Sequence, residues 1–139
     1  MCTLFVVDDD ITYQRIVKLI LSKNSVFKHV LYFSQGDELM HYLKKYNNDG
    51  ANLPDIIFLD LNMPELDGWA VLDTLQKLHR SYSKNISVYV VTVSVREVDK
   101  ERAMEYSIVK EYISKPLYRE KIMSIVNDFN NNTQFSINS

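Results

Sequence analysis

The sequence predicts an α/β domain: a doubly wound, five-stranded parallel sheet with helices on both faces. Three observations predict it. Short apolar runs alternate five times with longer segments of helical period. The runs are mostly continuous in their apolar residues, as expected of parallel strands buried on both sides. The 139 residues suit one domain with a core of its own.

The first strand is read over residues 4–7 and ends at Asp8. A helix follows over 12–21, with Ile16, Val17, Ile20 and Leu21 expected on its inner face. The second strand covers 29–33 and is closed by Ser34, Gln35 and Gly36. The second helix covers 37–46, with Leu39, Met40 and Leu43 inward. A loop rich in Asn, Asp and Gly spans 47–54. The third strand, 55–59, stops at Asp60. A loop over 62–67 carries the turn residue Pro64, and Gly68 opens a helix over 68–79 with Val71, Leu72 and Leu75 inward. The fourth strand is 86–93. A mostly polar helix over 96–107 has Val98 and Met104 as its expected anchors. A short fifth strand, 112–114, leads to Lys115 and Pro116. The last helix, 117–129, places Ile122, Ile125, Val126 and Phe129 for burial. The domain is read as residues 1–129, followed by a polar Asn-rich tail, 130–139, expected to be frayed or disordered.

Composition narrows the function. A formal net charge of −2 offers no basic footprint for nucleic acid. The nine tyrosines form no stacking stripe, and His29, His41 and His79 fall on different elements. Cys2 is the one cysteine, so neither an internal disulfide nor a zinc-type cluster is expected. There is no signal-peptide pattern and no apolar run of the roughly 18 residues that span a bilayer. A cytoplasmic protein is the expectation.

In open parallel sheets ligands bind beyond the carboxyl ends of the strands, so the chemistry is sought there. Strand one ends in Asp8, Asp9 and Asp10, strand three in Asp60, strand four near Thr92, and strand five in Lys115. If strands one and three are neighbours, three or four carboxylates converge. Such a cluster raises its own pKa values unless a cation neutralises it. An all-oxygen set without His or Cys suits a hard ion such as Mg²⁺. Carboxylates, a divalent ion, the Thr92 hydroxyl and the Lys115 ammonium together suit a phosphoryl group. Asp60 is the candidate nucleophile, since it ends the central strand and a carboxylate can form an acyl-phosphate.

These residues resemble a known family. Val6-Val7-Asp8-Asp9, the run Asp60-Leu61-Asn62-Met63-Pro64-Glu65-Leu66-Asp67-Gly68, Val91-Thr92 and Lys115-Pro116-Leu117 are similar to the receiver domain of two-component response regulators. The resemblance covers about residues 4–129. It implies a flavodoxin-like sheet of order 2-1-3-4-5, the order that chemotaxis receivers share. It implies that Asp60 is phosphorylated by a histidine kinase or a histidine phosphotransfer protein. Asp9, Asp60 and the backbone carbonyl of Asn62 would ligate Mg²⁺, with Asp8 acting mainly through a metal-bound water. Lys115 would pair with the phosphoryl group and precede a cis peptide bond. Thr92 would hydrogen-bond a phosphoryl oxygen, and Tyr112 would be the aromatic switch that follows it. The output surface would be the face made by the fourth helix, fifth strand and fifth helix. With no output segment after the receiver, a single-domain regulator acting through a protein target is expected, without nucleic-acid or membrane contact.

The chain departs from the family pattern in three places. Val93 follows Thr92 where a smaller residue is usual, and its branched side chain is expected to slow phosphorylation by small donors. Asn62 and Ser94 stand at positions that tune dephosphorylation. Residues 107–110 replace the usual Gly-Ala before the fifth strand, so that turn is expected to be built differently. Two other functions fit parts of the sequence. A receiver-like domain that only binds a partner would keep the fold without switching. Asp8-x-Asp10-x-Thr12 resembles the first motif of haloacid-dehalogenase-type phosphatases, with Asp8 as nucleophile and Asp10 as acid/base, but no later acidic pair completes that motif.

Overall fold

The computed structural model describes residues 2–23, 27–46, 49–63, 67–81 and 84–138. Pro64, Glu65 and Leu66 of the signature run lie outside the described residues. Five parallel strands, β1 (Cys2–Val7), β2 (Phe27–Phe33), β3 (Ile56–Leu59), β4 (Ser87–Thr92) and β5 (Val109–Ser114), form one sheet in the order β2-β1-β3-β4-β5. Helices α1 (Ile11–Ser22), α2 (Gly36–Lys45), α3 (Gly68–Leu78), α4 (Glu97–Met104) and α5 (Arg119–Asn138) connect or follow them, with a 3₁₀ turn at His79–Ser81. The expected fold class and strand order are found.

Successive side chains on a strand face opposite sides of the sheet. Phe5 and Val7 of β1, with Ile57 and Leu59 of β3, therefore enter one core, where Leu39, Leu43, Val71, Leu72 and Leu75 of α2 and α3 meet them. Leu4, Val6, Ile56 and Phe58 enter the other, against Tyr13, Val17 and Leu21 of α1 and Ile122 and Ile125 of α5. β3 is apolar throughout, and β1 and β4 are largely so, because both of their faces are covered.

Several sequence expectations need correction. Ile16 is half exposed, and α1 instead buries Tyr13, Gln14, Val17 and Leu21. The helix starts at Ile11 under an Asp10 cap, and its inward seam runs through positions 13, 14, 17 and 21. Val98 and Met104 are exposed rather than anchoring α4, whose one buried residue is Ala103. β5 begins at Val109, three residues earlier than expected. Lys110 and Glu111 mask it because an edge strand has one less protected face. The last helix runs to Asn138 and not to Phe129, so the backbone of the Asn-rich segment is helical through that residue.

The turn before β5 is fastened from α3. Gln76 Nε2 donates to Ser107 Oγ at 2.8 Å, and Gln76 Oε1 accepts from the Ile108 amide at 3.4 Å. α4 reaches α3 through Arg102, whose guanidinium stacks 3.9 Å from the Trp69 ring centroid. The Tyr106 hydroxyl, just beyond α4, donates to Asp73. No described helix is long and apolar enough to cross a membrane.

Candidate phospho-acceptor site

The strand register brings the predicted residues together. Val7 pairs with Phe33 on one side and Leu59 on the other, and Thr92 pairs with Ser114. The backbone pairing continues one step past the strands. The Asp8 amide donates to the Phe33 carbonyl at 2.9 Å, the Asp60 amide to the Val7 carbonyl at 2.9 Å, and the Lys115 amide to the Thr92 carbonyl at 2.8 Å. Asp8, Asp60 and Lys115 are thus fixed by main-chain bonds at the carboxyl edge of the sheet. The Lys115–Pro116 bond is cis, as expected.

One carboxylate oxygen from each of Asp8, Asp9 and Asp60 lies within 4.8 Å of the others. Asp8 and Asp60 are buried and Asp9 is exposed. Lys115 Nζ sits 2.7 Å from Asp8 Oδ2 and 3.5 Å from Asp60 Oδ2. Burial is the largest influence on Asp8 and pushes its carboxyl up to about 6, with the Lys115 contact opposing. For Lys115 burial works against the charge, but Asp8 and then Asp60 outweigh it and raise its pKa. The two carboxylates therefore keep the lysine charged, while burial leaves Asp8 easier to protonate than a free aspartate. Three carboxylates gathered about a single described ammonium fit a hard divalent ion, which the oxygen donors suit.

Around Asp60 the chain turns tightly. The Asn62 amide donates to Asp60 Oδ1 at 3.1 Å, and Asn62 Nδ2 lies 3.4 Å from Thr92 Oγ1. Gly68 opens α3, its amide donating to the Leu61 carbonyl at 3.0 Å. A Cβ on Gly68 would meet the Asp60 carbonyl oxygen at 2.4 Å and Leu61 Cα at 2.5 Å. The signature glycine is thus required by the close approach of the α3 start to the backbone of Asp60 and Leu61, and its φ lies in the ordinary range. Asp67 caps α3, accepting from the Ala70 amide at 3.0 Å.

Thr92 is fully buried, and its Oγ1 lies 3.5 Å from the Ser94 amide. Ser94 Oγ donates to Asp99 Oδ2 at 2.7 Å, tying the β4–α4 loop to α4. The Tyr112 ring packs against the core, and its hydroxyl donates to the Ser94 carbonyl at 3.1 Å. The threonine and the predicted aromatic switch therefore meet at one residue, Ser94. Val93 projects outward, 67% exposed. The Asp10 carboxylate accepts from the Tyr13 amide at 3.1 Å as the cap of α1, and the Asp10 amide donates to Asp8 Oδ1 at 2.9 Å. The capping role occupies the carboxylate that the phosphatase reading needs as acid/base.

Two residues of the site were not anticipated. Gln14 is buried, and its Nε2 donates to the Asp8 carbonyl at 2.7 Å and the Phe33 carbonyl at 3.2 Å, clamping the ends of β1 and β2. Tyr13 is buried with Lys115 Nζ 4.5 Å from its ring centroid. The cap at Asp10 is the signal that would have set α1's phase and turned both inward.

Comparison with known proteins agrees with this geometry. The chain is 30% identical over 120 residues to the sensor histidine kinase CheAY of Helicobacter pylori, covering 86% of this chain and 14% of that protein's length. The phosphorylated cyanobacterial phytochrome response regulator RcpA superposes with a TM-score of 0.73 at 30% identity, covering 92% of this chain and 90% of that one. The Mn(2+)-bound response regulator Rcp1 gives a TM-score of 0.70 at 28% identity over 91% and 89% of the two chains. The family model described as "Response regulator receiver domain" matches residues 4–127. That match takes in residues of all five strands and the acidic edge just described, and by it the chain belongs to the response regulator receiver family.

Proposed function

We propose that this chain is a phospho-acceptor signalling module in which Asp60 takes a phosphoryl group from a histidine kinase or a histidine phosphotransfer protein. The observation that carries the reading is the convergence of Asp8, Asp9 and Asp60 with the Lys115 ammonium placed between two of them. The Asp60 oxygen forms the new O–P bond as the N–P bond of a phosphohistidine breaks, and the leaving imidazole takes up a proton. Asp8, Asp9, Asp60 and the Asn62 backbone carbonyl would hold Mg²⁺, which when bound offsets negative charge on the transferring oxygens. Lys115 releases its hold on Asp8 as it turns to the new charge. Thr92 offers its hydroxyl to a phosphoryl oxygen, and Ser94 passes that displacement to Tyr112 and Asp99.

Support for the donor and the metal comes from the relatives: one is itself a sensor histidine kinase, one solved relative is phosphorylated and another binds Mn²⁺. Phosphorylation adds about −1.5 to −2 charges at this edge, which biases the β4–α4 loop. The output is read by a protein partner on the α4–β5–α5 face, where Val95, Val98 and Tyr118 are exposed. The protein works in the cytoplasm, where histidine kinases present their phosphoryl groups.

The test is intact-mass analysis after incubation with acetyl phosphate and Mg²⁺. One phosphoryl group is expected on the wild-type chain, and none without Mg²⁺ or in Asp60→Asn. No adduct from acetyl phosphate or from a phosphorylated histidine kinase would favour a non-switching interaction domain. Loss confined to Asp8→Asn would favour the phosphatase reading.

A further inference from the structure

Among the described residues of the site, Tyr13 stands out as the buried one whose polar atom is left over. Its ring lies against the Lys115 ammonium, 4.5 Å from Nζ, and that same ammonium touches Asp8 and Asp60. The side chain is only 7% exposed, and its hydroxyl has no hydrogen-bond partner among the described residues. A buried hydroxyl without a partner is unfavourable and is rarely kept where packing alone is served. A phenylalanine would fill the same space between β1, β3 and α5 without that penalty. The neighbouring groups do not satisfy it: the Asp10 carboxylate is engaged by the Tyr13 amide, and Gln14 is engaged by two carbonyls. Burial first, and then the charges of Asp8 and Asp60, hold the phenol well above its ordinary range, so it remains a donor. A buried donor whose ring lies on the Lys115 ammonium, and which feels the charges of Asp8 and Asp60, calls for an anionic oxygen that arrives at that ammonium.

We propose that Tyr13 is a positioning residue of the phospho-acceptor site: its ring steadies the Lys115 ammonium, and its hydroxyl donates to an oxygen of the phosphoryl group held on Asp60. The proposal rests on the phospho-acceptor reading. The cation–π contact keeps the ammonium over the two carboxylates before the anion arrives. The hydroxyl gains its partner only in the charged state, so it adds to the stability of that state and leaves binding of the metal alone untouched.

The experiment titrates the full chain calorimetrically, first with Mg²⁺ alone and then with beryllium fluoride in saturating Mg²⁺, the fluoride standing for the phosphoryl group. Tyr13→Phe keeps the ring and removes the donor. It is expected to leave the Mg²⁺ affinity unchanged and to weaken beryllofluoride binding about tenfold, as for one charge-assisted hydrogen bond. Tyr13→Leu removes the ring as well. It is expected to weaken binding further and to abolish the ring-current shift of the Lys115 Hε protons, which Tyr13→Phe retains. Unchanged beryllofluoride binding in Tyr13→Phe, or an equal loss of Mg²⁺ affinity, overturns the hydroxyl's role. Lys115 shifts that survive Tyr13→Leu overturn the ring's. Failure of the wild-type chain to bind beryllofluoride is a different result: it refutes the phospho-acceptor reading and this proposal with it.

Discussion

Replacing Gly68 with alanine should displace the backbone of Asp60 without touching any charged side chain. The added Cβ would lie 2.4 Å from the Asp60 carbonyl oxygen, about 1 Å inside the 3.4 Å at which ordinary contact begins. The obstacle is backbone on both counts, Asp60 and Leu61, so no side-chain rotation relieves it. Overpacking of this kind costs roughly 1–3 kcal/mol, and rigid neighbours place it near the top of that range. Loss of the glycine's unfolded-state freedom offsets about 0.4–1 kcal/mol. A net loss of about 2 kcal/mol follows, which lowers a urea midpoint by about 1 M for a domain of this size. The strand end that bears Asp60 must shift as well, so Mg²⁺ affinity should fall together with stability. Asp67→Ala is the control. It removes the α3 cap at a cost of about 1 kcal/mol but displaces nothing at Asp60, and its Mg²⁺ affinity should hold. Urea unfolding followed by far-UV dichroism, with Mg²⁺ titration of each variant, measures both. A Gly68→Ala domain within about 0.5 kcal/mol of wild type, with its metal affinity intact, would refute the argument.

Two further predictions concern the acidic edge and its rim. Asp8 is raised to about 6 in the folded chain, so between about 4 and 6 the folded state binds more protons than the unfolded one, and this group's contribution to stability falls as pH rises through that window. Asp8→Asn should therefore be more stable than wild type at pH 7, by on the order of 1–3 kcal/mol, with the gap closing below about pH 4 in urea titrations at each pH; a gap independent of pH would contradict the burial of Asp8. Val93→Ala should label with acetyl phosphate a few-fold faster if the branched side chain narrows the approach to Asp60, and an unchanged rate by intact mass would remove Val93 from consideration.

The fold was legible where burial decides it. β1, β3 and β4 are largely apolar because both sheet faces are covered, and their ends named Asp8, Asp60 and Thr92 directly. The start of the edge strand β5 is not legible, because Lys110 and Glu111 lie on positions that carry no apolar signal. Helical spacing points Ile16 inward, and Val98 and Met104 are the few apolar residues of a polar helix, but the phase of a short helix is set by its cap and by its neighbours. The Asp10 cap turned Tyr13 and Gln14 inward at positions where an apolar count finds little. The acidic set was readable as a constellation; the contact of Lys115 with Asp8 in preference to Asp60 was not, since it depends on side-chain distances that no spacing encodes.

α4 is fastened in an unusual way for a layer of an α/β domain. It inserts one alanine into the core, grips α3 by a stacked guanidinium and a neighbouring phenol–carboxylate bond, and is tied to the β4–α4 loop by the Ser94–Asp99 bond at its start. The stacked cation contributes about 0.5–1 kcal/mol and a hydrogen bond to a carboxylate about 1.5–3 kcal/mol, while each further large apolar side chain fully buried would add about 1.5–3 kcal/mol. With one residue buried, the helix should open locally, its amide protons exchanging with solvent sooner than those of β1 or β3. The sheet that holds the carboxylates and the helix that follows β4 are thus expected to open as separate cooperative units.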